Sequence, residues 1–453
     1  MAEAVRHDKT ARQLRLLSDA LDSGRLGPVR RMVNTLAPAE IGNLLESLPH
    51  DKRIVVWGLV DADDDGEVLV HVGDEVRESL IADMDPDELV AAVEDLDIDD
   101  LADLVEDLPD AVIDTLLRSM DRENRERLEQ VLSYPEDTAG RLMNPDVVTV
   151  RADTTVDVVL RFLRLRGELP DHTDHLYVVN RRHQLIGWVA LQDLVTRDPG
   201  TPINRLIDDE LDSIHVDESA DQVARQFSDN DWVSAPVVDD GNVLLGRITV
   251  DDVVDIIREQ AEHQALGAAG LDEDEDLFSP IRRAVRGRVV WLGINLLTAF
   301  MAAFVIGRFE ATIEQVVALA VLMPIVAGIG GNAAVQVLTL MVRGLALGQV
   351  GASNARILMW KELRVALING MLIGTLVALV ALVWFHDWVL SLVIFAALVI
   401  NFCSAATAGV LLPLLLKRMR VDPAVAGTVV VTAVTDIMGF FSFLGLATAI
   451  MLR

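Results

Sequence analysis

AVAGTVVVTAVTDIMGFFSFLGLATAIML, residues 424–452, is one apolar run interrupted by a single ionisable side chain, Asp436, near its middle. A hydrocarbon layer about 30 Å thick is crossed by roughly 20 residues of helix, so this run predicts a membrane span. A carboxylate at that depth costs about 2.5–3.5 kcal/mol on insertion scales, and it should therefore face a polar cavity or a partner. Thr428, Thr432 and Asp436 recur at a spacing of four, which puts them on one helical face. Gly439 keeps that face slim. Two readings compete: a site for an ion, and a protonated acid that glues helices together by hydrogen bonding. The spacing of the two threonine hydroxyls with the carboxylate favours the ion site.

Four more runs of similar length precede it, over residues 289–306, 313–342, 365–384 and 389–416. Basic residues orient them. Arg282, Arg283, Arg286 and Arg288 stand before the first run, Arg343, Arg356, Lys361 and Arg364 between the second and third, and Lys417, Arg418 and Arg420 between the fourth and fifth. The other side holds only Arg308 and Arg453. The positive-inside rule then makes the N-terminal half cytosolic and the C-terminus external, in a multi-pass protein of the inner (plasma) membrane surrounded by lipid. Residues 1–17 are charged throughout and do not read as a secretory signal. Five spans without an internal repeat give one chain no central pathway, so a two-fold dimer with a pore on or near its axis is the economical arrangement.

The second run carries Pro324 and then Gly328-Ile329-Gly330-Gly331-Asn332. Proline and clustered glycines predict a weakened helix with freed carbonyls lining a cavity. Small residues also suit close helix packing, and both readings can hold together. A pair of Asp436 carboxylates, one per subunit, suits Mg²⁺, which keeps much of its water and is usually held by one or two carboxylates. Threonine hydroxyls and carbonyls would accept hydrogen bonds from that water. Soft metals would want clusters of Cys, Met or His, whereas this half has one histidine, His386, near an outer loop, and one cysteine, Cys403. This chemistry does not separate Mg²⁺ from Mn²⁺ or Ca²⁺.

The formal charge of −31 conceals a split. From Arg282 onward there are 13 basic against 6 acidic residues, while the preceding part holds 26 against 64. So acidic a segment lacks the footprint for a phosphate backbone, which excludes nucleic acid as a partner. No nucleophile–base constellation or phosphate-binding loop points to an enzyme, and a lone cysteine supplies neither an intrachain disulfide nor a zinc site. Up to about residue 133 the pattern is helical and repetitive. DELVAAVEDLD at 87–97 aligns with DDLADLVEDLP at 99–109, and AEIGNLLESLP at 39–49 has the same outline. Carboxylates there read by default as a solvated face. From residue 141 to 258 strands alternate with helices, and LYVVNRRHQLIGWVALQDLV at 176–195 superimposes without a gap on APVVDDGNVLLGRITVDDVV at 235–254. Asp193 and Asp252 begin helices and read as caps. A helix over 253–266 follows, with Asp255, Glu259 and Glu262 on neighbouring turns; then come the acidic run 272–276 and Pro280.

Taken in order, four features carry a resemblance to the MgtE family of Mg²⁺ channels over nearly the whole chain. They are Tyr134-Pro-Glu-Asp-Thr-Ala-Gly-Arg-Leu-Met143, the Gly-Gly-Asn segment, Glu362 with Gly370 and Gly374, and Val421-Asp-Pro-Ala424 leading to Thr435-Asp436. The resemblance implies a multidomain homodimeric membrane protein. Its parts would be an all-α acidic N-terminal solenoid (1–133), a tandem α/β CBS pair (134–200 and 201–252), a connecting plug helix (253–280) and a five-helix transmembrane domain (281–453). It further implies pore Mg²⁺ held through water by paired Asp436, with Gly328, Gly331, Asn332, Thr428 and Thr432 around it. Cytosolic Mg²⁺ ligands are implied at Asp231, Asp252 and Asp255, at Glu259 and Glu262 on the plug, at Asp422 by the pore mouth, and at Asp221. Plentiful Mg²⁺ would bridge these acids and close the pore. ATP is a regulatory ligand such paired domains often take, at residues left unassigned. His263 stands on the plug where an acid is expected, and Ala334 replaces a glycine. An ion-coupled secondary transporter of Mg²⁺, Co²⁺ or Mn²⁺ and a non-transporting membrane sensor are the competing functions.

Overall fold

The computed structural model describes residues 17, 20–21, 26–94, 96–105, 107–208, 212–271, 276–347, 349–351, 354–419, 421 and 423–452. Two compact units divide the chain: Met1–Gln260 with Asp274–Ser279, and Ala261–Glu273 with Pro280–Arg453.

The first unit opens with short helices: α1 (Leu26–Val33), α2 (Pro38–Glu46), α3 (His50–Trp57), α4 (Asp65–Val70), α5 (Asp74–Asp83), α6 (Pro86–Val93), α7 (Ile98–Val105), α8 (Asp110–Ser119) and α9 (Arg122–Leu132). The repeated outline seen in the sequence is a helix-start signature. Both α2 and α6 begin on proline, which gives up a backbone N–H that would be unpaired there anyway. Glu88 then reaches back to accept from the Asp85 N–H at 3.2 Å, and Glu40 does the same for Ala37 at 3.3 Å. Leu101, Leu104, Val105 and Leu108 are buried together at helical spacing.

Two strand-and-helix halves follow. The first holds α10 (Ala139–Leu142), β1 (Thr149–Val150), α11 (Val156–Arg166), β2 (His175–Val179), β3 (Leu185–Ala190) and α12 (Leu191–Thr196). The second holds β4 (Ile214–His215), α13 (Ala220–Asn230), β5 (Ser234–Val238), β6 (Leu244–Thr249) and α14 (Val250–Ala269). Each forms a three-stranded sheet with one parallel and one antiparallel pair. Gly187 faces Val178 and Gly246 faces Val237, and each hairpin slips register one residue later, so the ungapped repeat extends to the irregularities. Asp252 is not the residue that begins the helix, which starts at Val250; from the first turn it reaches back to accept from the Thr249 N–H at 3.3 Å. Asp193 does not; its neighbour in space is Arg197 at 3.2 Å.

The second half shares one continuous apolar core with the helices before it, through Val237, Ile248 and Val253, whereas the first half keeps its own core around Leu176, Val178 and Val189. Arg141 of α10, almost fully buried, donates to the Ala102 carbonyl of α7 at 2.7 Å, which ties the start of the first half to the all-α part as well. The short segment before Pro280 also returns to the all-α part. Asp276 pairs with Arg53 at 2.6 Å, and Glu75 accepts from the Asp276 N–H at 2.9 Å and from the Ser279 hydroxyl.

The second unit consists of α15 (Ile281–Gly307), α16 (Glu310–Gln315), α17 (Ala318–Ala346), α18 (Ala355–Phe385), α19 (Trp388–Arg418) and α20 (Pro423–Met451). Among the described residues five helices, all but α16, are long and apolar enough to cross a membrane. Two expectations for the second span need correction. It is preceded by a separate short helix, α16, with the break at Val316 and Val317. And α17 runs unbroken through Pro324 and the glycine cluster, so the carbonyls from 328 to 332 stay within the helix; proline removes only the donor that would serve Ala320.

Glycine notches let these helices approach closely, as expected where apolar burial gives no drive between them. Gly370 and Gly374 of α18 receive Phe402 and Phe395 of α19, and Gly409 of α19 lies under Val337 of α17. Between α18 and α19, His386 adopts the left-handed conformation and the Asp387 carboxylate caps the next helix, accepting from the N–H groups of Val389 and Leu390 at 2.8 and 3.1 Å.

Candidate ion path and carboxylate cluster

In α20, Thr432 donates its hydroxyl proton to the Thr428 carbonyl at 2.8 Å, and Thr435 bonds to the Thr432 carbonyl at 2.9 Å. With their protons engaged by the helix, these hydroxyl oxygens are left as acceptors. Asp436, one turn beyond Thr432, is half-buried, and no donor or cation among the described residues reaches its carboxylate. Gly331 of α17 turns into the contact with α20: a Cβ there would lie 3.6 Å from the Thr432 methyl. It is a packing residue within one chain. Gly328 and Asn332 stand on a different face of α17, exposed in the single chain along with Pro324 and Gln336. Residues 324, 328, 332 and 336 follow a spacing of four, so this face is a stripe with two amides in an otherwise apolar span. Gln336 was missed by the sequence reading, although its spacing from Asn332 is the signal. Asp422 lies outside the described residues.

In the first unit, carboxylates from α7 and its lead-in meet those at the start of α14. Burial pushes the Asp100 pKa up to about 7, aided by repulsion from Asp97, Asp103, Asp251 and Asp255. The same causes, burial first and then Asp251 and Asp100, raise Asp252 to about 7. Asp99 is driven well above the usual carboxylate range by burial and by Asp252, Asp100 and Asp97. Partial burial with the charges of Asp74, Asp103 and Asp255 raises Glu259 against the pull of Arg77. Few cations offset this. Asn144 donates to Asp99 at 3.1 Å, and His172 approaches Asp251 at 3.2 Å. No three His, Cys, Asp or Glu side chains among the described residues are arranged to hold a bare metal ion. What the cluster offers is closely spaced negative charge suited to hydrated cations.

The acids expected in this region therefore divide. Asp252 and Asp255 belong to the cluster, and Glu259 continues it along α14. Asp231 ends α13 in the left-handed conformation, exposed, and is not among the charges that act on Asp99, Asp100 or Asp252. Asp221 accepts from the Gln260 side chain at 2.6 Å, tying α13 to α14. Glu262 and His263 lie on the part of α14 that belongs to the second unit. Asp97, Asp99, Asp100 and Asp103 were not singled out in the sequence, where the repeat made them look like one more solvated helix face.

Comparison with known proteins adds an independent line. The family model for the MgtE intracellular N domain matches residues 36–137, that for CBS domains matches 139–200 and 203–259, and that described as a divalent cation transporter matches 323–446. The chain is 31% identical to the magnesium transporter MgtE of Thermus thermophilus, over 95% of this chain and 97% of that one. It is 27% identical to that of Bacillus subtilis over 95% of each. Among solved structures it resembles the cytosolic domain of the Mg²⁺ channel MgtE in complex with ATP, at 33% identity over 53% of this chain and 98% of the other, with a TM-score of 0.48.

Proposed function

Because the chain belongs to the MgtE family of magnesium transporters, we propose that it is a Mg²⁺ channel of the inner membrane whose ion path passes Asp436 and whose opening is controlled by cytosolic Mg²⁺. The family transports Mg²⁺ and is not one of enzymes. The observation that carries the reading is the half-buried Asp436 carboxylate, inside a candidate membrane span, on the same helical face as Thr428 and Thr432 and without a partner among the described residues. A homodimer supplies a second such carboxylate and covers the exposed stripe of α17. Two carboxylates and a ring of acceptors hold a hydrated divalent cation through its water, as Mg²⁺ prefers.

Closure is driven by charge. Without Mg²⁺, the acids of α7 and α14 repel and loosen the packing between the all-α domain and the second CBS half. Mg²⁺ bridging them binds the compact state preferentially and draws the population towards it. Helix α14 then acts as the plug, with Glu259 and Glu262 carrying the change towards the membrane. Asp231, Asp221 and Asp422 are further Mg²⁺ contacts in this scheme, Asp422 at the cytosolic mouth. ATP at the CBS pair is a regulatory ligand of the same scheme. The N-terminal half is cytosolic and the C-terminus external, on the strength of the basic loops.

The test is Mg²⁺ influx into proteoliposomes, comparing the wild type with Asp436→Ala at low and high Mg²⁺ on the cytosolic side. Flux that disappears in the variant, and wild-type flux that shuts off with cytosolic Mg²⁺, are expected, together with unitary currents. Saturable exchange tied to a proton or Na⁺ gradient would instead identify a coupled transporter, and unchanged flux in Asp436→Ala would reject the site.

A further inference from the structure

Asn401 lies in the middle of α19, fully buried, in a helix otherwise almost wholly apolar. Its side-chain N–H donates to the Val326 carbonyl of α17 at 2.9 Å. Its Oδ1 is also buried and has no partner among the described residues. A polar amide at such depth is costly, more so with one end unpaired, and leucine would fill the same space without that penalty. Packing alone therefore does not account for an asparagine here.

What surrounds the amide gives it a role. On one side is Gly330 of α17, where a Cβ would run into the amide; on the other is Gly439 of α20, where a Cβ would lie 2.8 Å from Nδ2. Two helices have surrendered their side chains to admit one from a third. They are the two helices that carry the candidate ion path. Gly331 packs against Thr432 next to this point, and Asp436 stands one turn before Gly439. The hydrogen bond to Val326 is directional, so it sets the rotation of α17 as well as its distance.

We infer that Asn401 is a positioning residue for the ion path: pinned to the Val326 carbonyl and seated between Gly330 and Gly439, it sets the spacing and rotation of α17 against α20, and so the place of Asp436 relative to Gly328 and Asn332. This rests on the reading of Asp436 as the ion site. Mg²⁺ demands near-ideal octahedral geometry, whereas Ca²⁺ accepts six to eight oxygens in flexible arrangements. Displacing Asp436 from the α17 stripe therefore weakens discrimination between the two, which loss of folded protein alone does not.

The experiment measures Mg²⁺ and Ca²⁺ flux in proteoliposomes containing the full chain, per amount of monodisperse protein, for Asn401→Ala, Asn401→Leu, Gly439→Ala and the Asn401→Ala/Gly439→Ala pair. Phe395→Leu, which thins the α18–α19 contact at Gly374, is the packing control. Asn401→Ala and Asn401→Leu should each raise the half-saturating Mg²⁺ and lower the Mg²⁺/Ca²⁺ flux ratio by about 3- to 30-fold, the range for a residue acting through its neighbours. Phe395→Leu should alter yield without altering the ratio. Gly439→Ala should be impaired and the pair should recover part of its flux, because the amide that the new methyl strikes has gone. Wild-type half-saturation and ratio in Asn401→Leu, or no recovery in the pair, would overturn the assignment. A wild type that carries no Mg²⁺ at all would instead overturn the ion-path reading beneath it.

Discussion

Arg53 and Asp276, 223 positions apart in the chain, meet at 2.6 Å with side chains only 3% and 8% exposed. The guanidinium also donates through Nε to the Leu45 carbonyl at 2.9 Å. Glu75 holds the same segment from the other side through the Asp276 N–H and Ser279. The few residues that lead into α15 are thus fastened to α3 and α5.

Asp276→Ala leaves the Arg53 charge buried without its counter-ion, and breaking a buried pair on one side costs about 3–5 kcal/mol. Thermal unfolding of the solubilised full chain should begin several degrees lower, with faster proteolytic cutting between residues 270 and 280. An unchanged cutting rate would mean that the pair holds nothing in place.

The acidic cluster predicts a pH dependence with a definite sign. Asp100 and Asp252 rise from the ordinary 3.8 to about 7 in the packed state, so that state binds more protons than the unfolded chain between those limits. The proton-dependent stability is whole below the lower value and lost as pH climbs through the upper one. In chelator the solubilised protein should therefore melt at progressively lower temperature from about pH 5 to about pH 8, with Mg²⁺ restoring more at the alkaline end. A Mg²⁺ effect independent of pH would argue that these acids do not meet the ion.

Asp100→Asn with Asp252→Asn removes two of the repelling charges while keeping the side-chain shapes. Flux through this double variant should respond less steeply to cytosolic Mg²⁺ than in the wild type. The measurement is influx at a series of fixed internal Mg²⁺ concentrations, and an unaltered response would move the sensor elsewhere.

Gln336→Leu removes an amide from the exposed face of α17 without touching a buried contact. Expression and monodispersity should be unaffected, while Mg²⁺ flux falls by about 3- to 30-fold if the stripe lines the path. Wild-type flux would confine the path to the Gly328–Asn332 level.

Much of this architecture was legible because it rests on periodicity. Apolar runs flanked by basic residues indicate the five long helices, and the ungapped match of residues 176–195 with 235–254 anticipates two like sheets, down to the irregularity after Val178 and Val237. What periodicity does not carry was read less well. The break at Val316 and Val317 follows Glu314 and Gln315, two polar residues that a span drawn from Ile313 takes in, so its local mark is short and easily absorbed into the apolar run. Pro324 and the glycines suggested an unwound helix, whereas neighbouring helices keep α17 intact. Asp99 and Asp100 have the same local setting as the solvated acids of this domain; only the fold, by laying α14 against α7, half-buries them among other carboxylates. Asn401 is a single polar letter in an apolar run, and its meaning depends on glycines from two other helices.

The two sheet-bearing halves also record a history of divergence. Thr249 of the second corresponds to Ala190 of the first, and its hydroxyl adds a contact to the following aspartates, Asp251 and Asp252, that an alanine does not offer. Asp252 is anchored by Thr249 at its helix start, at 3.1 Å from the hydroxyl, and so is presented to the acids of α7. Asp193, with only a methyl group three residues behind it, turns outward to Arg197 on the surface. Twin modules with superimposable strands are thus non-equivalent, and grafting the first in place of the second would reproduce the scaffold without the carboxylate that faces the acids of α7.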